Sequence, residues 1–145
     1  MNAPFERLMA LREGRSNTVY ADTLGKLTVG IGHLVRPADR LRRGDVISDD
    51  RVSALFAADG AAALSAAVAQ AAEAGITDPD FVPYLASVNF QLGVNWRRTF
   101  PHTWGLIVAG RYADAADALD GTRWQAQTPV RVTDFQGALL RLAGG

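Results

Sequence analysis

The chain has 145 residues, 48% of them hydrophobic and 21% charged, which is enough for a buried core and too apolar for a disordered chain. Fifteen basic and fifteen acidic residues cancel, with nine against eight over residues 1–72 and six against seven beyond, so no electrostatic footprint for nucleic acid is present. Cysteine is absent, which excludes disulfides, thiolate metal sites and cysteine nucleophiles.

The pattern predicts a short helix over 4–12, with Pro4 in its first turn, an apolar side of Phe5, Leu8 and Met9, and Gly14 as its stop. Glu13 then stands at a helix end. Residues 17–34 change character. Val19 and Tyr20 form strand, 22–25 reads as a turn, and 27–31 reads as a second strand broken by Gly30, with Gly32 beyond. Glycines so placed signal tight turns or close backbone approach. A third short strand is expected within 34–45, among the loop signals at Arg36-Pro37 and 43–45.

Ser48 or Asp49 caps a long helix that runs to about residue 72 and stops at Gly75, with Gly60 as a weak point. Further helices are predicted from Asp78-Pro79 to Leu92, and over 100–109, 112–119 and 133–142, the last capped by Asp134. The first fifteen residues carry Glu6 and Glu13 among apolar positions and do not read as a signal peptide. No stretch approaches the roughly 20 apolar residues of a membrane span. The Ala-rich run at 61–69 is too short and too weakly apolar, so no stable membrane insertion is expected. The whole reads as an α+β protein with a small β element near the N terminus of a mainly helical chain.

Two carboxylates stand out. Glu13 ends the first helix and Asp22 sits on the hairpin after it, so a chain reversal can set them opposite each other. Glycoside hydrolysis uses such a pair, one acid to protonate the leaving oxygen and one polar group to orient water or stabilise positive charge. On spacing alone, Glu13 is more often a solvated helix-end carboxylate, Asp22 a turn cap, Thr28 an ordinary strand residue and His33 a structural hydrogen-bonder. With only His33 and His102, no HExxH and no GxSxG, metal and serine chemistry are poorly supported. Gly30-Ile31-Gly32 lacks the full phosphate-binding glycine pattern.

Glu13-Gly14, followed by Tyr20, Asp22, Gly25, Thr28, Gly30, Gly32 and His33 in register, closely resembles the signature of the phage T4 lysozyme family of muramidases, glycoside hydrolase family 24. Leu55-Phe56 through Asp59 resembles the start of that family's interlobe helix. The segment from Asn89 to Gly93 resembles the helix bordering its substrate cleft. Arg123-Trp124, Gln127-Thr128-Pro129 and Arg131 resemble its C-terminal signature. The resemblance covers most of the chain, from Phe5 to about Leu142.

The resemblance implies a lysozyme-like fold in one domain. Helix 1–12 packs with the C-terminal lobe, 13–59 holds the β lobe and the start of the interlobe helix, and 60–145 holds the rest of that helix and the helical lobe. It implies Glu13 as general acid, Asp22 as second carboxylate and Thr28 as its partner in positioning water. The inverting mechanism this resembles sets its carboxyl groups roughly 6.5–9.5 Å apart. Of the supporting residues, His33 would pair with Asp59, Gln91 would contact sugar, and Arg131 would hold the glutamate.

The implied substrate is the β-1,4 bond between N-acetylmuramic acid and N-acetylglucosamine in peptidoglycan, cut without metal or organic cofactor. The implied protein is a monomer, made in the host bacterial cytoplasm and dependent on a holin to reach the wall, or a virion tail component. A lytic transglycosylase and a non-catalytic wall-binding protein of the same fold are the rivals. The segment between His33 and Ser48 is shorter than the family pattern, and Leu24 stands where the family carries an acidic cleft residue.

Overall fold

The computed structural model describes residues 2–144. Helix α1 spans Ala3–Glu13, capped by the Asn2 side chain, whose oxygen accepts from the Phe5 backbone N–H at 3.0 Å. Strands β1 (Ser16–Ala21), β2 (Leu27–Gly30) and β3 (His33–Leu34) form one antiparallel sheet in that order. Tyr20 pairs with Thr28, and Val29 with His33. The third strand lies at the front of the predicted window and is only two residues long. The rest of that window folds as a 3-10 turn at Pro37–Asp39 and returns to the sheet as a single bridge between Thr18 and Val46.

Helix α2 runs Asp49–Glu73, with the Ser48 hydroxyl accepting from the Arg51 N–H at its start. A 3-10 turn at Pro79–Phe81 leads into α3 (Val82–Leu92). There follow α4 (Trp96–Thr99), α5 (Pro101–Val108), α6 (Tyr112–Asp117), α7 (Arg123–Gln127) and α8 (Pro129–Gly144). The last helix begins earlier than its predicted start at 133. Pro129, pre-set for a first turn, opens it, and Asp134 lies inside it rather than at its cap. With its small sheet near the N terminus and its many helices, the architecture is the α+β lysozyme-like class.

The chain divides into two compact units, Met1–Ala61 and Ala62–Gly145. In the first, Phe5, Met9, Val19, Val29, Val52 and Phe56 form the core. Phe5 and Phe56 lie with ring centroids 5.1 Å apart. Gly60 is no mere weak point: a Cβ there would stand 3.0 Å from Phe5 Cε2 and 3.3 Å from Phe56 Cζ. The two rings occupy the space that a side chain would need. In the second unit, Trp96, Trp124 and Phe135 are buried together. Asn89 there donates to the Ala63 carbonyl and to the Gln70 side chain, both at 3.0 Å.

One expectation is corrected. Helix α2 has 25 residues and carries an 18-residue window of mean hydropathy 1.6, enough by length and composition to cross a membrane. The run at 61–69 understates it because no charged residue interrupts 60–72, and alanine, weakly apolar singly, accumulates over that length. The charges of the helix lie at its ends and at Asp59, which is bonded to His33.

Candidate active site

Glu13 is the last residue of α1, and Gly14 turns the chain away with φ +81°. A carboxylate at this end faces the negative pole of the helix, a placement disfavoured by about 0.3–1 kcal/mol, so helix stability does not account for an acid here. Its side chain is exposed. The turn between β2 and β3 comes up against it: a Cβ built on Gly32 would lie 3.5 Å from both Cβ and Oε2 of Glu13. Gly32 holds φ +66°, a conformation that costs other residues roughly 1–2 kcal/mol.

Asp22 follows β1 and organises the hairpin. Its Oδ1 accepts from the Leu24 N–H at 2.9 Å and from the Lys26 N–H at 2.8 Å. Its own N–H donates to the Lys26 carbonyl at 2.8 Å, and its carbonyl accepts from Gly25. Four hydrogen bonds thus fix the residue, and Oδ2 takes part in none of them. Thr28 is buried, and its hydroxyl donates to that same Lys26 carbonyl at 3.2 Å. Because Tyr20 pairs with Thr28 and side chains alternate along a strand, Asp22 and Thr28 share one face of the hairpin. Leu24, at the tip, is 78% exposed.

His33 is buried at 2% exposure. Its Nδ1 lies 2.7 Å from Asp59 Oδ2, and its Nε2 lies 2.8 Å from Asp39 Oδ2. A neutral imidazole has a single N–H, so two carboxylates, one on each ring nitrogen, favour the imidazolium. Burial opposes that charge, but hydrogen bonds to Asp39 and Asp59, and their negative charge, outweigh it and raise the His33 pKa above its ordinary value. Asp39 is held below the usual carboxylate range by the Arg36 backbone N–H at 2.7 Å and by His33. Asp39 is a partner that sequence reasoning missed. The available signal was local: an aspartate two residues after Pro37 can fold back onto the N–H that opens the turn, as a helix-start acid does.

Gln91 and Arg131 belong to the second unit. Trp124 Nε1 donates to Gln91 Oε1 at 3.0 Å, Gln91 Nε2 donates to Thr128 Oγ1 at 3.0 Å, and Thr128 Oγ1 donates to the Trp124 carbonyl at 3.3 Å. This closed ring orients the Gln91 amide and uses one of its two N–H donors. Trp124 is 5% exposed, so it is core and not a flat platform for sugar. Arg131 Nη2 donates to the carbonyl and hydroxyl of Ser87 at 3.3 and 3.1 Å. Among the described residues, no cluster of three histidine or acidic side chains could hold a metal ion.

Glu13, Asp22, Thr28, His33, Asp39 and Asp59 belong to the first unit, and Gln91 and Arg131 to the second. The sequence matches the family model described as phage lysozyme over residues 10–141, and the chain belongs to that family. It is 26% identical to Probable T4-type lysozyme 2 of Dictyostelium discoideum and 28% identical to Probable T4-type lysozyme 1 of the same organism, each over 90% of both chains. It is 30% identical to Peptidoglycan hydrolase gp36 of Pseudomonas phage phiKMV, over 88% of this chain and 14% of that protein.

Proposed function

We propose that this chain is a lysozyme-type peptidoglycan hydrolase. It cuts the β-1,4 bond between N-acetylmuramic acid and N-acetylglucosamine, with inversion at the anomeric carbon. Glu13 protonates the glycosidic oxygen as it leaves, and positive charge develops on the muramic acid ring. Water attacks the opposite face, with one proton accepted by Asp22 and the other hydrogen directed at Thr28.

The observation that carries this reading is the hydrogen-bond economy of the hairpin. Asp22 uses Oδ1 on its turn, so Oδ2 is the oxygen that meets water. Thr28 uses its only hydroxyl hydrogen on the Lys26 carbonyl, so toward water it acts as an acceptor. A water donating to both has its lone pair directed away from them, toward a sugar carbon. A carboxylate held by its turn serves better as a fixed base than as a nucleophile that must swing to the sugar. His33, clamped by Asp39 and Asp59, braces the turn that ends in Gly32 against Glu13.

The setting this reading favours is host-cell lysis by a phage enzyme that is made in the bacterial cytoplasm, acts as a monomer and reaches the wall with the help of a holin. Family membership supports it. A role in the virion is the second setting. It is supported by the occurrence of a similar segment within a much longer phage peptidoglycan hydrolase.

Stereochemistry tests the mechanism. Proton NMR of a short glycan strand, followed from the first seconds of cleavage, is expected to show the α-anomer of the new reducing end before mutarotation. Early appearance of the β-anomer would assign Asp22 as a nucleophile. A 1,6-anhydro end would assign a transglycosylase.

A further inference from the structure

The segment that joins β3 to α2 concentrates positive charge that the whole chain does not have. Basic and acidic residues balance at fifteen each, yet Arg36, Arg40, Arg42 and Arg43 fall within eight residues that hold a single acid, Asp39. That acid lies 2.8 Å from His33 Nε2 and accepts from the Arg36 N–H at 2.7 Å. The next acid, Asp45, accepts from the Arg42 N–H at 2.8 Å. Both carboxylates thus hold the turns of the segment and not its guanidinium groups. Among the described residues, the side chains of Arg40, Arg42 and Arg43 are exposed and form no ion pair or hydrogen bond.

The backbone beneath these arginines is fixed at both ends. Arg51 Nη2 donates to the Asp39 carbonyl at 2.9 Å. Farther on, the Gly44 N–H donates to the Val19 carbonyl at 2.9 Å, and the Asp45 carbonyl accepts from the Val19 N–H at 2.8 Å. Little chain entropy is therefore lost when the arginines between these anchors meet a partner. Arg40 has φ +54°, and among the described residues it is the one non-glycine residue in the left-handed region. Glycine or asparagine ordinarily takes that place at the end of a helical turn, so turn geometry does not account for an arginine there.

The residues around the charge narrow the partner. From 34 to 47 the chain has no serine, threonine, asparagine, glutamine or aromatic residue. Nucleic-acid bases are read by such amides, hydroxyls and rings, and polar ligands are oriented by them. What is exposed beside the arginines is apolar: Pro37, Ala38 and above all Val46, at 74% exposure. Cationic and apolar side chains interleaved in this way suit a surface whose phosphates lie over hydrocarbon.

We propose that residues 36–46 dock on a membrane that carries anionic phospholipid, with Arg40, Arg42 and Arg43 on headgroup phosphates and Val46 at the acyl boundary. The contact is peripheral and reversible. It does not rest on the reading of the chain as a peptidoglycan hydrolase. In a wall hydrolase it would hold the enzyme at the membrane that borders the wall.

The test is co-sedimentation of the full chain with vesicles of equimolar phosphatidylglycerol and phosphatidylcholine, against vesicles of phosphatidylcholine alone. Binding is expected on the anionic vesicles only, and it should be lost at high salt, where exposed charges are screened. Each arginine near an anionic surface contributes roughly fivefold. Arg40→Gln should therefore weaken binding about fivefold, and Arg40→Gln, Arg42→Gln and Arg43→Gln together about a hundredfold. Arg7→Gln, Arg98→Gln and Arg123→Gln together remove the same charge from exposed positions elsewhere and should leave most of the binding. Equal binding to phosphatidylcholine vesicles, persistence at high salt, or an equal loss in the two triple variants would each overturn the proposal. The first two outcomes are read on wild type and do not depend on how any variant folds. Val46→Ser should weaken vesicle binding several-fold. Capture on beads of poly(glycerol phosphate), which has no acyl chains, as tight as on the vesicles and unchanged in Val46→Ser would overturn the membrane as partner in favour of a phosphodiester polymer.

Discussion

Glu13 and Gly32 meet at 3.5 Å, measured from the carboxylate oxygen to the place where a Cβ on Gly32 would stand. That separation is ordinary van der Waals contact, so an alanine would fit the space. The backbone is the constraint, because Gly32 holds φ +66°. Gly32→Ala should therefore cost roughly 1–2 kcal/mol of stability and lower kcat by shifting the turn against the acid. Urea unfolding measures the first effect and turnover of purified peptidoglycan the second. Unchanged stability would mean that the turn relaxes without strain.

Gly60 makes the opposite case, where φ is ordinary and space is the constraint. Gly60→Ala gains about 1 kcal/mol of helix propensity. It also forces a methyl to within 3.0 Å of Phe5 and 3.3 Å of Phe56. Overpacking of this kind costs about 1–3 kcal/mol, so the net change should be destabilising. Phe5→Leu, which removes the closer ring, should rescue Gly60→Ala in a double-mutant cycle.

The clamp on His33 sets a pH window. The raised His33 pKa means that its contribution to stability is complete below the ordinary imidazole value of about 6.5 and is lost as pH rises through the folded-state value. The lowered Asp39 pKa means that its contribution is present above the ordinary carboxylate range and is lost as pH falls through its folded-state value. Thermal melts should therefore plateau between these limits and decline on both sides. Asp39→Asn should move the alkaline decline to lower pH, because one of the two carboxylates holding the imidazolium is gone. An alkaline limb identical in Asp39→Asn and wild type would show that Asp59 alone sets it.

The hairpin that carries Asp22 and Thr28 was legible in the sequence, because it is closed by hydrogen bonds spanning two to four residues; spacing alone did not single out Glu13, Asp22 or Thr28, which the resemblance to the phage T4 lysozyme family did. The long helix and the α+β class were legible because their periodicities are written along the chain. Asp39 was not. It comes to His33 through a 3-10 turn with no period of its own. The ring of Trp124, Gln91 and Thr128 was equally hidden, because its members are 33 and 37 residues apart in sequence. The reach of the apolar stretch in α2 is hidden in the alanine run at 61–69, because it comes from the absence of charge over 60–72 rather than from strongly apolar side chains.

In the proposed mechanism Asp22 and Thr28 divide the work on water, and their variants should differ. Asp22→Asn keeps an oxygen for the turn but loses the base, and kcat should fall by about 10²–10⁴. Thr28→Val keeps the β-branched shape and loses only an acceptor, which predicts a smaller loss, about tenfold in kcat with KM little changed. Equal losses in the two variants would mean that the pair serves to shape the hairpin rather than to activate water.

The proposed role of Glu13 as the acid of a wall-cutting hydrolase is open to mass spectrometry of purified peptidoglycan digested by wild type and by Glu13→Gln. Wild type should release reducing muropeptides and Glu13→Gln none, with the circular dichroism of the two proteins the same. Reducing products from the folded glutamine variant at the wild-type rate, or no glycan cleavage by folded wild type, would contradict it.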